Sequence, residues 1–359
     1  MPSTSSRPEL GLVEGFFGLP WSWDERCEAV SFLAPHGYGF YLYAPKADAW
    51  LRKRWQEPHP ADEMARLAAF RAHCRAHGVR FGIGLSPFEL HLHEGDDWKQ
   101  PLAVKLDMLA ALEPDDIALL FDDMRGDVPD LAARQAGIVH FAAARRAAGR
   151  ILFCPSYYSD DPILDVAFGS RPAGYLEDLG RLIDPAIGIF WTGPEVCSAE
   201  ITPGHVERVA AALGRKPFLW DNYPVNDGAR MSLHLHLRAF TGRPAGIAAH
   251  IAGHAINPAS QAVLSRVPAL TLAESYDAGA AYDYGEAWDR AAEAVLGTDF
   301  AMRLRLDLNV LQDRGRDRLG ERLGRLLERY GAIDHPGARE IVAWLDGRWD
   351  VAEDLVQTQ

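Results

Sequence analysis

Asp116-Ile-Ala-Leu-Leu-Phe-Asp-Asp-Met-Arg125 decides how this chain is read. Five apolar residues in a row, Ile117 to Phe121, predict a strand buried on both faces, as in parallel sheets sheathed by helices. The run stops at two adjacent carboxylates, Asp122 and Asp123. Unpaired charge at the end of a buried strand is costly, so the pair needs a reason. One reason is structural: a solvated strand end, or a cap for the next helix. The other is chemical: a reactive pair at the C-terminal rim of a parallel sheet, where α/β folds gather their active groups.

Working outward, strand-like and helix-like stretches alternate. Leu10 to Phe17 reads as a first strand, and Ser22-Trp-Asp-Glu opens a helix to about Ala34. Gly37 to Pro45 is a second strand, and Pro60-Ala-Asp-Glu starts a helix with an aspartate cap. Val79 to Pro87 is the third strand, Leu102 to Leu112 a helix, and the quoted stretch the fourth strand. Pro129 to Ala148 is an Ala-rich helix, Arg150 to Pro155 strand five, Gly174 to Leu182 a short helix and Ile187 to Pro194 strand six. Thr202-Pro-Gly-His begins a capped helix with proline at its first position. Lys216 to Pro224 is strand seven; Met231 to Phe240 reads as either helix or strand; strand eight starts at Ala245 and ends near Asn257-Pro258. This alternation predicts an α/β fold, a (β/α)8 TIM barrel over residues 8–268, followed by a C-terminal helical appendage over 269–359. The dinucleotide glycine fingerprint does not fit Gly11, Gly15 and Gly18, because no helix follows in the right place.

Composition narrows the partners. A net charge of −13 argues against nucleic acid and anionic membrane surfaces, and no apolar run is long enough for a transmembrane helix. Met1-Pro-Ser-Thr-Ser-Ser-Arg-Pro lacks the apolar core of a signal peptide, so the expected compartment is the cytoplasm. Cys27, Cys74, Cys154 and Cys197 are widely spaced, which predicts free thiols. The charged C-terminal helices offer a face for a homodimer.

A barrel places its chemistry at the C-terminal strand ends. Polar residues fall there: Lys46-Ala-Asp48, Asp122-Asp123, Ser156-Tyr-Tyr158, Trp191-Thr192, Trp220-Asp-Asn222 with Asn226-Asp227, and Asn257. The opposite ends carry ordinary residues such as Gly78, Arg80, Arg150 and Arg215. Carboxylates, amides, tyrosines and large aromatics suit a neutral polyhydroxylated ligand. Paired acids suit glycosidic cleavage. Neighbouring acids cannot flank a sugar ring as a separated pair does, which points to assistance by the substrate's own 2-acetamido oxygen.

Gly11-Leu-Val-Glu-Gly-Phe-Phe-Gly-Leu-Pro-Trp21, Tyr43-Ala-Pro-Lys46, Leu120-Phe-Asp-Asp123, Phe153-Cys-Pro155, Trp191-Thr-Gly-Pro194, Trp220-Asp-Asn222, Asn226-Asp227 and Asn257-Pro258 together resemble the ordered motifs of glycoside hydrolase family 84. These are the β-N-acetylglucosaminidases that include the protein O-GlcNAcases. The resemblance implies retaining removal of terminal β-linked N-acetylglucosamine from a glycoprotein or glycan, through an oxazoline, with no cofactor and no metal. It implies that Asp122 orients the acetamido group and that Asp123 is general acid, then base. It implies that Tyr158 bonds near the anomeric centre and that Asn222 supports the reacting end. Gly15, Lys46, Asp227 and Asn257 would hold hydroxyls, and Trp220, Thr192 and Cys154 would wall the acetamido pocket. Phe17, Ala47, Ser156-Tyr157 and Phe88 depart from the family's usual residues and bear on the rim and the aglycone.

Plainer readings stand beside these. Lys46 also fits a strand-end ion-pair partner, Trp191 fits barrel packing, Cys154 fits inert core, and Tyr157 and Asp221 fit structural roles. A metal-dependent barrel hydrolase would use His91-Leu-His93 or His234-Leu-His236, although that motif belongs at the end of a first strand. A barrel that binds N-acetylhexosamine without turnover is the non-enzymatic alternative.

Overall fold

The computed structural model describes residues 7–145, 149–351 and 358. Its centre is a closed barrel of eight parallel strands in sequence order, β1 next to both β2 and β8. β1 is Glu9–Glu14, followed by α1, Trp23–Leu33. Ser22 caps α1 as the sequence predicts: its hydroxyl accepts from Glu25 N (3.2 Å), and the Glu25 carboxylate accepts from Ser22 N (2.6 Å), so two orphan donors are satisfied reciprocally. β2 is Tyr38–Tyr43 and α2 is Ala61–Ala76. The residue before α2 is Pro60, without a side-chain cap; Asp62 lies inside the first turn, where its charge meets the helix dipole instead.

β3 (Arg80–Leu85), α3 (Lys99–Ala110), β4 (Asp116–Leu120) and α4 (Leu131–Ala144) follow. Every residue of β4 is buried, as its unbroken apolar run predicts. The end expected for the α4 helix, near Ala148, lies outside the described residues. β5 is Arg150–Cys154. A six-residue helix absent from the sequence reading, α5 (Ile163–Phe168), precedes α6 (Tyr175–Leu182) and β6 (Gly188–Trp191). α7 (Pro203–Leu213) begins at Thr202, whose hydroxyl accepts from His205 N, and ends at Gly214 with a φ of 63°. β7 is Phe218–Asp221.

The stretch after β7 departs most from expectation. Met231–Leu233 is one 3-10 turn, and the rest of Met231 to Phe240 is neither helix nor strand. Its backbone is held by distant partners: Leu237 N and Arg238 N both donate to the Gln312 side chain. Ala245–Ala249 is a 3-10 helix, and β8 is only Gly253–Ile256. Gly253 is needed where it is, because a Cβ there would lie 2.3 Å from the Phe218 ring. That ring packs edge-on against Phe40 and Phe190 in the barrel interior.

α8 (Arg266–Ala278) closes the last unit and runs across the expected boundary at 268/269; the Tyr38 hydroxyl donates to Ala269 O. α9 (Tyr284–Leu296), α10 (Thr298–Leu308), α11 (Arg322–Gly331) and α12 (Pro336–Leu345) form the C-terminal helices, with a π-helical turn at Asn309–Arg314. One apolar core runs unbroken from β1 to Trp344 and Leu345. Glu340 on α12 accepts from Val263 N and Leu264 N in the loop after β8, and Trp344 Nε1 donates to Ser232 O.

At the end of β7, Asp221 is fully buried. It takes a two-pronged contact from Arg243 (2.7 Å each) and a 3.0 Å contact from His254. Burial alone would push this carboxyl up, but the Arg243 guanidinium and His254 hold it down at about 2. That is below the ordinary Asp value of about 3.9. A depressed carboxyl stabilises the fold fully above its unfolded value and loses that contribution as pH falls toward its folded one. Asp221's share is therefore complete above about pH 4 and lost between about pH 4 and pH 2. Asp221→Asn should lower the unfolding free energy at neutral pH by roughly 3–5 kcal/mol, because Arg243 loses its buried partner. It should also flatten the fall in stability on acidification, measured by urea titration at several pH values; identical pH slopes in both proteins would contradict the assignment.

Candidate active site

In an extended strand, consecutive side chains point to opposite faces. The backbone just past β4 breaks that rule. Asp123 has a φ of 57°, a left-handed conformation that aspartate tolerates better than most residues. The turn brings the second carboxylate round to the first one's side, and Lys46, three residues past the end of β2, bridges them. Its ammonium is in direct contact with Asp122 Oδ2 and lies 3.5 Å from Asp123 Oδ2. The ion-pair role open to Lys46 from sequence is thus real, and its partners are the two candidate acids.

The carboxylates then differ. Asp122 is the more enclosed, its side chain 7% exposed against 17% for Asp123. The second oxygen of Asp122, Oδ1, is buried and has no hydrogen-bond partner among the described residues. Asp123 Oδ1 accepts from the Tyr158 hydroxyl at 3.0 Å. Burial, with Asp123 and Asp122 beside it, raises the Tyr158 phenol well above its usual value, so it stays a hydroxyl donor. Burial, and then Asp122, likewise pushes the Cys154 thiol up, so it remains a neutral, fully buried wall at the end of β5.

Across the cavity the loops after β1, β7 and β8 form a chain of amides. Gly15 N donates to Asn257 Oδ1 (3.2 Å), and Asn257 Nδ2 donates to Asn222 Oδ1 (3.0 Å). Trp220 Nε1 reaches the same Asn222 oxygen (3.1 Å), and Asn222 Nδ2 donates to Val196 O (2.8 Å). Gly15 admits no side chain here, because a Cβ would lie 2.2 Å from the Trp220 ring. Asp227 accepts from Phe17 N (2.7 Å), which fixes the loop after β1 over the cavity. Thr192 is buried at the end of β6, its hydroxyl turned to Tyr158 O and Glu195 O.

Every residue to which the family resemblance gives a role lines this one cavity: Gly15, Lys46, Asp122, Asp123, Cys154, Tyr158, Thr192, Trp220, Asn222, Asp227 and Asn257. About 420 Å3 of space, partly open to solvent, lies among them. Val196, Val225, Phe17 and Thr358 also line it. Val196 and Val225 lie in loops and carry no sequence signal that marks a site. The other rim residues are structural. Asp48 caps the turn at Trp50 and Leu51, Asn226 bonds Gln261, and Ser156 bonds Gln135. Tyr157 donates to Gly169 O and Trp191 to His205, as expected of packing residues.

The histidine pairs are engaged elsewhere. His91 contacts Arg125 O, His234 contacts Gln312 O, and His236 contacts Pro224 O. Among the described residues no group of three His, Cys, Asp or Glu side chains is gathered to hold a metal ion. Among them, too, no helix is long and apolar enough to cross a membrane.

Comparison with known proteins points the same way. The sequence profile described as beta-N-acetylglucosaminidase matches residues 10–307. The protein O-GlcNAcases of Rattus norvegicus and Mus musculus are each 30% identical to the chain over 277 residues, 74% of its length. The chain spans 30% of the length of these relatives. A solved structure of a mutant O-GlcNAc hydrolase from Thermobaculum terrenum superposes with a TM-score of 0.79 at 25% identity, covering 96% of this chain and 81% of the other. The profile takes in every barrel strand after the first residue of β1, together with the paired aspartates and the amide chain opposite them. This chain belongs to the beta-N-acetylglucosaminidase family.

Proposed function

We propose that this chain hydrolyses terminal β-linked N-acetylglucosamine with retention, using the substrate's acetamido group as nucleophile. The observation that carries the proposal is the bare Asp122 Oδ1. A buried carboxylate oxygen without a donor is costly, and the N–H of a 2-acetamido group is such a donor. Asp122, in contact with Lys46, accepts that N–H and offsets positive charge as the acetamido oxygen closes on the anomeric carbon. Asp123 gives its proton to the departing glycosidic oxygen. The products of this step are the free aglycone, the Asp123 carboxylate and a bicyclic oxazolinium ion whose N–H stays bonded to Asp122.

Asp123, now a carboxylate, takes a proton from water as that water attacks the anomeric carbon and the oxazoline opens. Two inversions give net retention. Tyr158 steadies Asp123 through its 3.0 Å bond. In the same proposal Asp227, Asn257 and Gly15 hold the sugar hydroxyls, Asn222 supports the reacting end, and Trp220, Thr192 and Cys154 wall the acetamido methyl. The substrate is a glycoprotein or glycan bearing N-acetylglucosamine. Cys27, Cys74 and Cys154 are free thiols, in keeping with a reducing, cytoplasmic compartment. Met302 and Leu306, exposed on α10, give a homodimer an apolar contact.

Asp122→Ala and Asp123→Ala should each reduce kcat/KM on an alkyl β-N-acetylglucosaminide by roughly 10²–10⁴-fold. They should part company on an aryl glycoside with an acidic phenol. That leaving group needs no proton, so Asp123→Ala should recover most of its rate while Asp122→Ala stays impaired; equal damage on both substrates would contradict the roles. Thiazoline mimics of the oxazoline should inhibit far more tightly than free N-acetylglucosamine, by at least ~10²-fold in Ki. Weak inhibition by both would argue for a separate protein nucleophile.

A further inference from the structure

Asp123 lines two cavities. One is the pocket described above. The other is a groove of about 1350 Å3, partly open to solvent, that shares Asp123, Lys46 and Phe17 with it but not Asp122 or the amide chain. If Asp123 protonates the leaving oxygen, the leaving group lies on the side reached by Asp123 and not by Asp122. The groove is therefore the aglycone side, an inference that rests on the glycosidase reading.

The groove's charge is unusual for this chain. The protein carries a net −13, yet Arg52, Lys53 and Arg125 line the groove with Lys46. Lys46 is balanced by Asp122, and Arg125 by its contact with Asp127. Arg52 and Lys53 have no carboxylate within ion-pair distance among the described residues. Arg52 as a whole residue is 6% exposed, and its guanidinium is braced by Ser86 Oγ (3.1 Å) and the Asp123 carbonyl (3.3 Å). It also lies near the Phe17 and Phe88 rings, 5.8 and 5.3 Å from their centroids. Lys53 is exposed beside it. Ala47, where the family often carries an acid, adds no negative charge. Glu89 is the groove's one carboxylate besides Asp123, so positive charge is in excess.

We propose that this groove is an aglycone subsite selective for an acidic peptide segment, with Lys53 and Arg52 as the residues that set the preference. Phe88, Met124 and Phe168 give the groove apolar surface for a peptide's other side chains. Among the described residues it lacks Asp227 and Asn257, the side chains proposed to meet sugar hydroxyls in the first pocket, which favours a peptide over a second sugar. A carboxylate two or three residues from the glycosylated one meets Lys53 in solvent and Arg52 at the groove's edge. Such pairs change partner choice and salt dependence more than total affinity.

The test uses N-acetylglucosaminyl-serine peptides that differ only in flanking Glu, Gln or Lys, with an aryl N-acetyl-β-glucosaminide as reference. The Glu peptide should exceed the Gln peptide in kcat/KM by roughly three- to tenfold at low salt, the Lys peptide should fall below it, and the gap should shrink at ~0.5 M salt. Lys53→Glu should erase or reverse the Glu-to-Gln ratio measured within that variant. A ratio near one in the parent protein, or a ratio that Lys53→Glu leaves unchanged, would overturn the subsite while the aryl substrate still turns over. No turnover of the aryl substrate would instead sink the glycosidase reading and this inference with it. Preference for a disaccharide in which N-acetylglucosamine is joined to a carboxylate-bearing sugar, over the acidic peptide, would refute the peptide assignment.

Discussion

A single ammonium group holds the reactive end of this barrel together. Two carboxylates on consecutive residues repel each other when both are ionised and enclosed. Lys46 sits against one and near the other, so the pair exists in a pocket that would otherwise drive them apart. The left-handed backbone at Asp123 is the second half of the constraint, because it turns both side chains to one cavity. Sterics disfavour that conformation for residues with a Cβ, and the Arg52 and Tyr158 contacts hold it in place. The asymmetry between the acids follows. Asp122 is held by Lys46 and keeps one oxygen without a partner among the described residues. Asp123 is the more exposed and opens onto the groove.

The opposite wall is preorganised in the same sense. Barrel closure puts β8 between β7 and β1, so the residues that end those strands become neighbours although they lie far apart in the chain. Gly15, Asn222 and Asn257 exchange hydrogen bonds only because of that closure. Polar atoms already aimed by their neighbours lose little freedom when a ligand arrives, which is how a small pocket gains selectivity.

Much of this was legible in the residues. The apolar run of β4, the Ser22 capping box and the Thr202-Pro203 helix start are local signals, and the local chemistry sufficed. The site residues were legible for a different reason: they fall at strand ends, and a barrel gathers strand ends. What escaped depends on distant partners. Met231 to Phe240 is shaped by Gln312. Ala245–Ala249 looks strand-like in composition but folds as a 3-10 turn, leaving only Gly253–Ile256 to pair with β7 and β1. α5 is too short to show a helical period. Arg52 looked like any charged loop residue, because its worth comes from Ser86 and from a carbonyl 71 residues away.

The Glu340 bridge ties two matters that sequence order keeps apart. Its carboxylate holds the amides of Val263 and Leu264, just past the loop that begins with Asn257. A polypeptide ending shortly after the last strand would leave those buried N–H groups unmet, and the segment that presents Asn257 would lose its anchor. The rim pocket and the distal helices are therefore joined through one buried carboxyl, so a change that displaces α12 reaches the segment carrying Asn257.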